Sequence, residues 1–120
     1  MLNLDTHILL HALTGDLSLS ERRFLSKNPW CISAIVLWEI AKLSQLKRID
    51  YDLEDKEFRQ ILARIEIIPL DLAICQQSIQ LDFKGDPADE IIAATSVVHK
   101  IPLLTRDKKI LSSKLVPFAY

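Results

Sequence analysis

The sequence predicts an α/β fold built on a central, mostly parallel sheet of about five short strands. Three observations carry this. Short apolar runs of strand length alternate with longer segments whose apolar residues recur at helical spacing. Most helical segments follow a residue able to cap a helix. The chain has 120 residues, 49% of them hydrophobic and 26% charged, which is enough for one core with roughly two thirds of the unfolded surface buried.

The elements follow in order. Leu2 to Leu4 is a short apolar stretch ending at Asp5. Ile8, Leu9, Leu10, Ala12 and Leu13 imply a buried helix stopped near Gly15, and Ser18 or Ser20 can cap a second helix through SERRFLSK. Trp30, Cys31 and Ile32 read as a strand. Ser33 then precedes the helix AIVLWEIAKLSQL, with Ile35, Leu37, Trp38, Ala41 and Leu46 on its broad apolar side. DLEDKEFRQILARI reads as an amphipathic helix with Phe58, Ile61, Leu62 and Ile65 on one face. That face can be core, close a dimer or seat a partner peptide. Ile67 and Ile68 form a strand ended by Pro69, and Asp71 caps a helix through LAICQQSIQL. Gly85-Asp86-Pro87 is a turn leading into ADEIIAATSVVHK. Ile101 to Thr105 is a strand, Asp107 opens the helical turn DKKILS, and the tail LVPFAY adds an edge strand, where Pro117 is tolerated. The resulting β-α-α-β-α-α-β-α-α-β-α-β order implies a parallel sheet covered on both faces.

The formal net charge is −1, against the basic balance common in nucleic-acid binders. If several carboxylates crowd one metal site, however, the remaining surface is net positive. Cys31 and Cys75 sit in apolar contexts and are expected as buried free thiols. The start MLNLDTHILL is a poor signal peptide and no apolar run has membrane-spanning length, so no membrane association and a cytoplasmic location are expected.

In parallel sheets, ligands bind beyond the carboxyl ends of the strands. Asp5 ends the first strand, Asp107 lies just past PLLT, and Asp89 is in the first turn of the helix leading to that strand. Glu39 interrupts the apolar run AIVLWEIA and so faces a partly buried site. A buried carboxylate needs a partner. For Glu39 a metal is one, and an ion pair with Lys42, a helical turn away, is the other. Clustered carboxylates are tolerated around hard divalent cations, and such sites suit phosphodiester hydrolysis, in which the metal activates a water and offsets charge on the phosphate.

LDTHILL, SAIVLWEI, GDPADEIIAAT and LLTRD resemble, in the same order, the four acidic motifs of PIN domains. Within that family the chain is similar to VapC-type toxins of bacterial toxin–antitoxin pairs, over nearly its whole length. GDPADEIIAAT followed at the right distance by LLTRD is the most specific part. The resemblance implies a single PIN-like three-layer domain over 1–120. It implies a Mg²⁺- or Mn²⁺-dependent endoribonuclease leaving a 3′-hydroxyl and a 5′-phosphate, a homodimer, and inhibition by a cognate antitoxin protein. Carried over by position, the catalytic and metal-site acids are Asp5, Glu39, Asp89 and Asp107, supported by Thr6, Thr105 and possible help from Asp86, which also has a turn-and-cap explanation. Glu90 follows Asp89 where many relatives have Arg, which removes a local phosphate contact.

Lys42, Lys47 and Arg48 follow Glu39, while Arg106, Lys108 and Lys109 flank Asp107, so Lys42, Arg106 and Lys108 are candidate contacts to RNA phosphates. His7 and His11 share a helix face, but HILLH lacks a zincin glutamate and no third soft ligand is evident. With only Gly15 and Gly85 and no GxSxG, a phosphate loop and a serine-hydrolase elbow are excluded. Two other readings stand beside the ribonuclease. One is a non-catalytic PIN-like module binding RNA or protein. The other is an aspartyl phosphotransfer enzyme, which would need an acid where LDTH has His7.

Overall fold

A computed structural model describes the protein from Met1 to Tyr120. Strand β1 spans Leu2–Leu4, β2 Trp30–Ser33, β3 Glu66–Ile68 and β4 Leu103–Leu104. Helices α1 (Thr6–Thr14), α2 (Leu19–Lys27), α3 (Ala34–Gln45), α4 (Lys56–Leu62), α5 (Leu72–Ser78), α6 (Pro87–His99) and α7 (Lys108–Leu111) connect and flank them.

Polar side chains start most helices. Asp5, Ser18, Ser33, Asp55, Asp71 and Asp107 each accept a backbone N–H from the first turn that follows, satisfying donors a helix start leaves unpaired. Ser18, of the two serines considered, is the cap of α2 and forms a reciprocal capping box with Glu21. Gly15, at φ 80°, ends α1 by donating its N–H to the His11 carbonyl. Asp55 starts α4 later than the apolar pattern implies, because its carboxylate takes the Phe58 N–H at 3.0 Å. The helix α5 stops at Ser78, short of the expected LAICQQSIQL.

The sheet order is β3-β2-β1-β4 and every pairing is parallel. The chain steps outward from β1 to β2 to β3, then returns through α5 and α6 to set β4 on the other side of β1. The winding direction therefore reverses between β1 and β4, and a crevice opens at their carboxyl ends. The expected fifth strand reduces to one parallel bridge between Leu103 and Phe118. Leu103 donates to the Pro117 carbonyl at 2.8 Å and Ala119 donates to Leu103 at 3.1 Å, but Pro117 has no N–H to extend the ladder.

All three β1 residues are buried, as a strand covered on both faces requires. Leu4, Ile8, Leu9, Ile32, Ile92 and Leu104 lie in the main core, and Cys31, Ile68, Ile74 and Ala94 form a smaller group. Phe58 is buried and Ile61 and Leu62 pack against the main core, so the amphipathic face of α4 belongs to it; Ile65 is buried too but lies past the end of the helix at Leu62. Two expectations are corrected. Trp38 and Leu46 are 54% and 59% exposed, because α3 turns Val36 and Ile40 inward and a residue two positions past Val36 falls on the far side of the helix. Cys31 is buried but Cys75 is exposed, and both are free. Asn3, fully buried, ties β1 to α6 by donating to the Ile92 carbonyl at 3.1 Å and Ser96 Oγ at 2.9 Å. No helix is long and apolar enough to cross a membrane.

Candidate active site

The crevice at the ends of β1 and β4 is held together by two threonines. Asp5 is 4% exposed. Its Oδ1 accepts the Thr6 N–H at 2.7 Å and its Oδ2 accepts the Thr105 hydroxyl at 2.6 Å. Thr6 uses its own hydroxyl to donate to Glu39 Oε1, joining α1 to α3. Thr105 Oγ1 in turn accepts the Asp107 N–H at 3.0 Å. Asp107 caps α7, its Oδ1 accepting from Lys109 at 2.8 Å and Ile110 at 3.3 Å. Asp89 sits in the first turn of α6. Asp86 holds the cap position of that helix, yet its side chain makes no capping hydrogen bond. Turn and cap chemistry thus accounts for its place in the chain but not for its carboxylate.

Electrostatics bind these groups into one site. Burial raises Asp5 above the ordinary carboxylate range, with Asp107 adding to the rise and the Thr105 hydroxyl opposing it. Burial also raises Glu39, opposed by the Thr6 hydroxyl and reinforced by Asp5 and Asp86. Asp89 is pushed from 3.8 to about 7, first by burial and then by Asp5, Glu39, Asp107 and Asp86. Four other carboxylates acting on one is the signature of a shared pocket. The two ion pairs of the molecule, Arg106–Glu21 and Arg59–Glu54, include none of the five. Glu39 therefore lacks the Lys42 partner considered for it. Lys42 instead donates to Gln45 at 3.2 Å and lies 6.0 Å from the centre of the Trp38 ring.

Two cavities meet at Asp86. One, of about 270 Å³, is lined by Asp86, Asp89, Asp107, Lys108 and Lys109 together with Gly85. The other, of about 610 Å³, carries Glu39 and Asp86 in its lining beside His7, His11 and Arg48. Lys108 thus stands beside the acids as expected, whereas Lys42 lines neither cavity. Arg106 corrects its expected role. Its Nε and Nη2 engage both Glu21 oxygens at 2.8 and 2.7 Å, and Nη2 also reaches the Asp16 carbonyl at 2.8 Å. That pair holds the Glu21 carboxyl at about 2 and anchors the loop bearing Thr105 and Asp107 to α2. Tyr120 holds the same loop by donating its hydroxyl to the Thr105 carbonyl. Glu21 carries a local signal only as the capping-box partner of Ser18; its pairing with Arg106, and the role of Tyr120, have none, since those partners lie far along the chain.

The donor set consists of hard carboxylate oxygens without a cationic partner, and it fits a divalent cation such as Mg²⁺ or Mn²⁺. As they stand, no three of these side chains surround a common point at ligand distance. Rotation of the half-buried Glu39 and Asp89 and the exposed Asp86 is the freedom available to close such a shell.

The PIN domain family matches the chain over residues 3–113. "Ribonuclease VapC22" of Mycobacterium tuberculosis is 29% identical over 86 residues, covering 69% of this chain and 66% of that relative, just under two thirds of its length. Among solved structures, VapBC2 from Rickettsia felis bound to a promoter DNA fragment superposes with a TM-score of 0.75 at 20% identity, over 98% of this chain and 97% of that one. A toxin–antitoxin complex from Klebsiella pneumoniae superposes with a TM-score of 0.71 at 23% identity, over 93% and 91% of the two chains. At such identities the superpositions speak to the fold.

Proposed function

Since the chain belongs to the PIN domain family, we propose that it is a divalent-metal-dependent endoribonuclease and the toxin of a toxin–antitoxin pair. One observation carries this reading: five carboxylates gather at the sheet's switch point with no Lys or Arg paired to any of them. A purely structural cluster of this kind would be neutralised by cations of the protein itself.

Asp5, Glu39, Asp89 and Asp107 would hold Mg²⁺ or Mn²⁺, with Asp86 at the mouth. When bound, such an ion offsets the charge growing on the phosphate and orients a water. The protein's own residues do the rest. Thr105 and Thr6 fix Asp5 and Glu39 through their hydroxyls. Asp89 or Glu39 would take a proton from the attacking water. Lys108, and Lys109 beside it, supply positive charge for RNA phosphates. The single domain 1–120 acts in the cytoplasm, as a homodimer, and is inhibited by a cognate antitoxin protein. The similar fold in the toxin–antitoxin complex from Klebsiella pneumoniae and the relative named a ribonuclease support that context.

The test is cleavage of a mixed RNA substrate by the purified chain with Mg²⁺, with EDTA, and with Asp5→Asn. Cleavage should require the metal and vanish in the variant while its circular dichroism stays native. Full activity of Asp5→Asn, or cleavage undiminished in EDTA, refutes the reading.

A further inference from the structure

The two cavities that share Asp86 differ in chemistry. No apolar residue lines the smaller one, where Lys108 and Lys109 face Asp89 and Asp107. The larger one, about 610 Å³, combines Leu10, Leu43 and Ile49 with His11, Arg48 and the carboxylates of Asp16, Glu39 and Asp86. Its volume is in the range of sites that enclose a small ligand. Two of its polar groups, His11 and Arg48, are uncommitted, while Glu39, Thr14 and Asp16 are already hydrogen-bonded. The His11 imidazole makes no hydrogen bond within the chain, and Arg48 takes part in neither ion pair. Thr14, on the same wall, turns its hydroxyl back to the Leu10 carbonyl at 3.2 Å.

A chain of phosphates alone needs only positive charge, which Lys108 and Lys109 provide at the smaller cavity. An apolar surface next to a hydrogen-bonding ring and a cation fits a whole nucleotide. The base has an apolar face and a polar edge, and the phosphate is an anion. An RNA strand crossing the acids would meet cations on both sides, Arg48 at one end and Lys108 and Lys109 at the other. We propose that the larger cavity is a nucleotide subsite that holds the residue next to the scissile bond and selects its base. Leu43, Ile49 and His11 contact the base and Arg48 its phosphate. This inference rests on the ribonuclease reading above and goes beyond it by assigning where sequence preference arises.

The experiment is cleavage of an RNA oligonucleotide pool with a randomised window, in Mg²⁺, with the cut ends sequenced. The native chain should favour particular bases at one position beside the cut. His11→Ala and Leu43→Val, one methylene shorter, should change that preference about tenfold, the scale on which apolar pocket contacts discriminate substrates. Arg48→Ala should raise KM about tenfold across all sequences and leave the preference intact, because phosphate contacts carry no sequence information. His11→Gln, a conservative change at a half-buried position, keeps the test valid if the alanine variant folds poorly. Unchanged preference in both His11→Gln and Leu43→Val, with the native chain cutting RNA, overturns the subsite and leaves the activity standing. A native chain that cuts no RNA overturns both.

Discussion

Replacing Asp89 with Asn should make the metal-free chain more stable above neutral pH while abolishing cleavage. The folded protein holds the Asp89 proton far more tightly than an unfolded chain, at about 7 against 3.8. Below about pH 4 the group is protonated in both states and carries no penalty. As pH rises, the unfolded chain gives up its proton first, so the native state loses stability until about pH 7, where the loss is complete. At about 1.4 kcal/mol per pH unit the full effect is roughly 4 kcal/mol. Asp89 is only half-buried, and solvent screening brings the expected figure to about 2 kcal/mol. An opposing term exists, because Asp89 lies in the first turn of α6 and an acid there interacts favourably with the helix dipole, by about 0.5 kcal/mol. The repulsion is larger and decides the sign. Urea unfolding in EDTA at pH 4 and pH 8 measures it. The variant should gain about 1.5–2 kcal/mol over the native chain at pH 8 and nearly nothing at pH 4. Added Mg²⁺ should stabilise the native chain and not the variant, by mass action. A variant no more stable than the native chain at pH 8 in EDTA would show that the acids do not strain the fold, and the reasoning fails.

Other outcomes follow from the same contacts. Thr105→Val leaves Asp5 Oδ2 and the Asp107 N–H without the hydroxyl they share; unfolding should show a loss of about 1–3 kcal/mol and turnover should fall at least tenfold. Arg106→Ala removes the cation from the Glu21 carboxylate, whose side chain is 6% exposed and which keeps the Ser18 N–H, and should cost about 1–2 kcal/mol in chemical denaturation. In the native chain the Glu21 contribution is present above about pH 4.5 and is lost as pH falls through about 2; an acid titration of Arg106→Ala should show a smaller loss, the part that the Ser18 hydrogen bonds sustain. Phe58→Ala, at a fully buried position, should cost about 3–5 kcal/mol. Trp38→Ala on the exposed face of α3 should change stability by less than about 0.5 kcal/mol, and a large loss there would contradict the orientation of that helix.

The local grammar of this chain was readable from its residues. Asp5, Ser33, Asp71 and Asp107 are capping residues placed before apolar helical runs, and each starts a helix. The alternation of strand and helix fixed the parallel sheet, since parallel neighbours require long crossovers. The position of the acids at element ends, with one glutamate inside the apolar stretch AIVLWEIA, marked Asp5, Glu39, Asp89 and Asp107 as a group. Periodicity failed on α3, where the helix is apolar nearly all round, so its pattern could not say that Val36 and Ile40 rather than Trp38 face inward.

What the residues determined by themselves was therefore local: caps, turns, and helix and strand type. Those follow from forces acting within a few residues. The tertiary structure alone decided that β4 lies beside β1, that Arg106 pairs with Glu21 instead of standing free, and that Asp86 borders two cavities of different character. Such facts depend on groups some 85 to 100 positions apart, whose meeting is set by how the whole core packs, and no short-range preference encodes it.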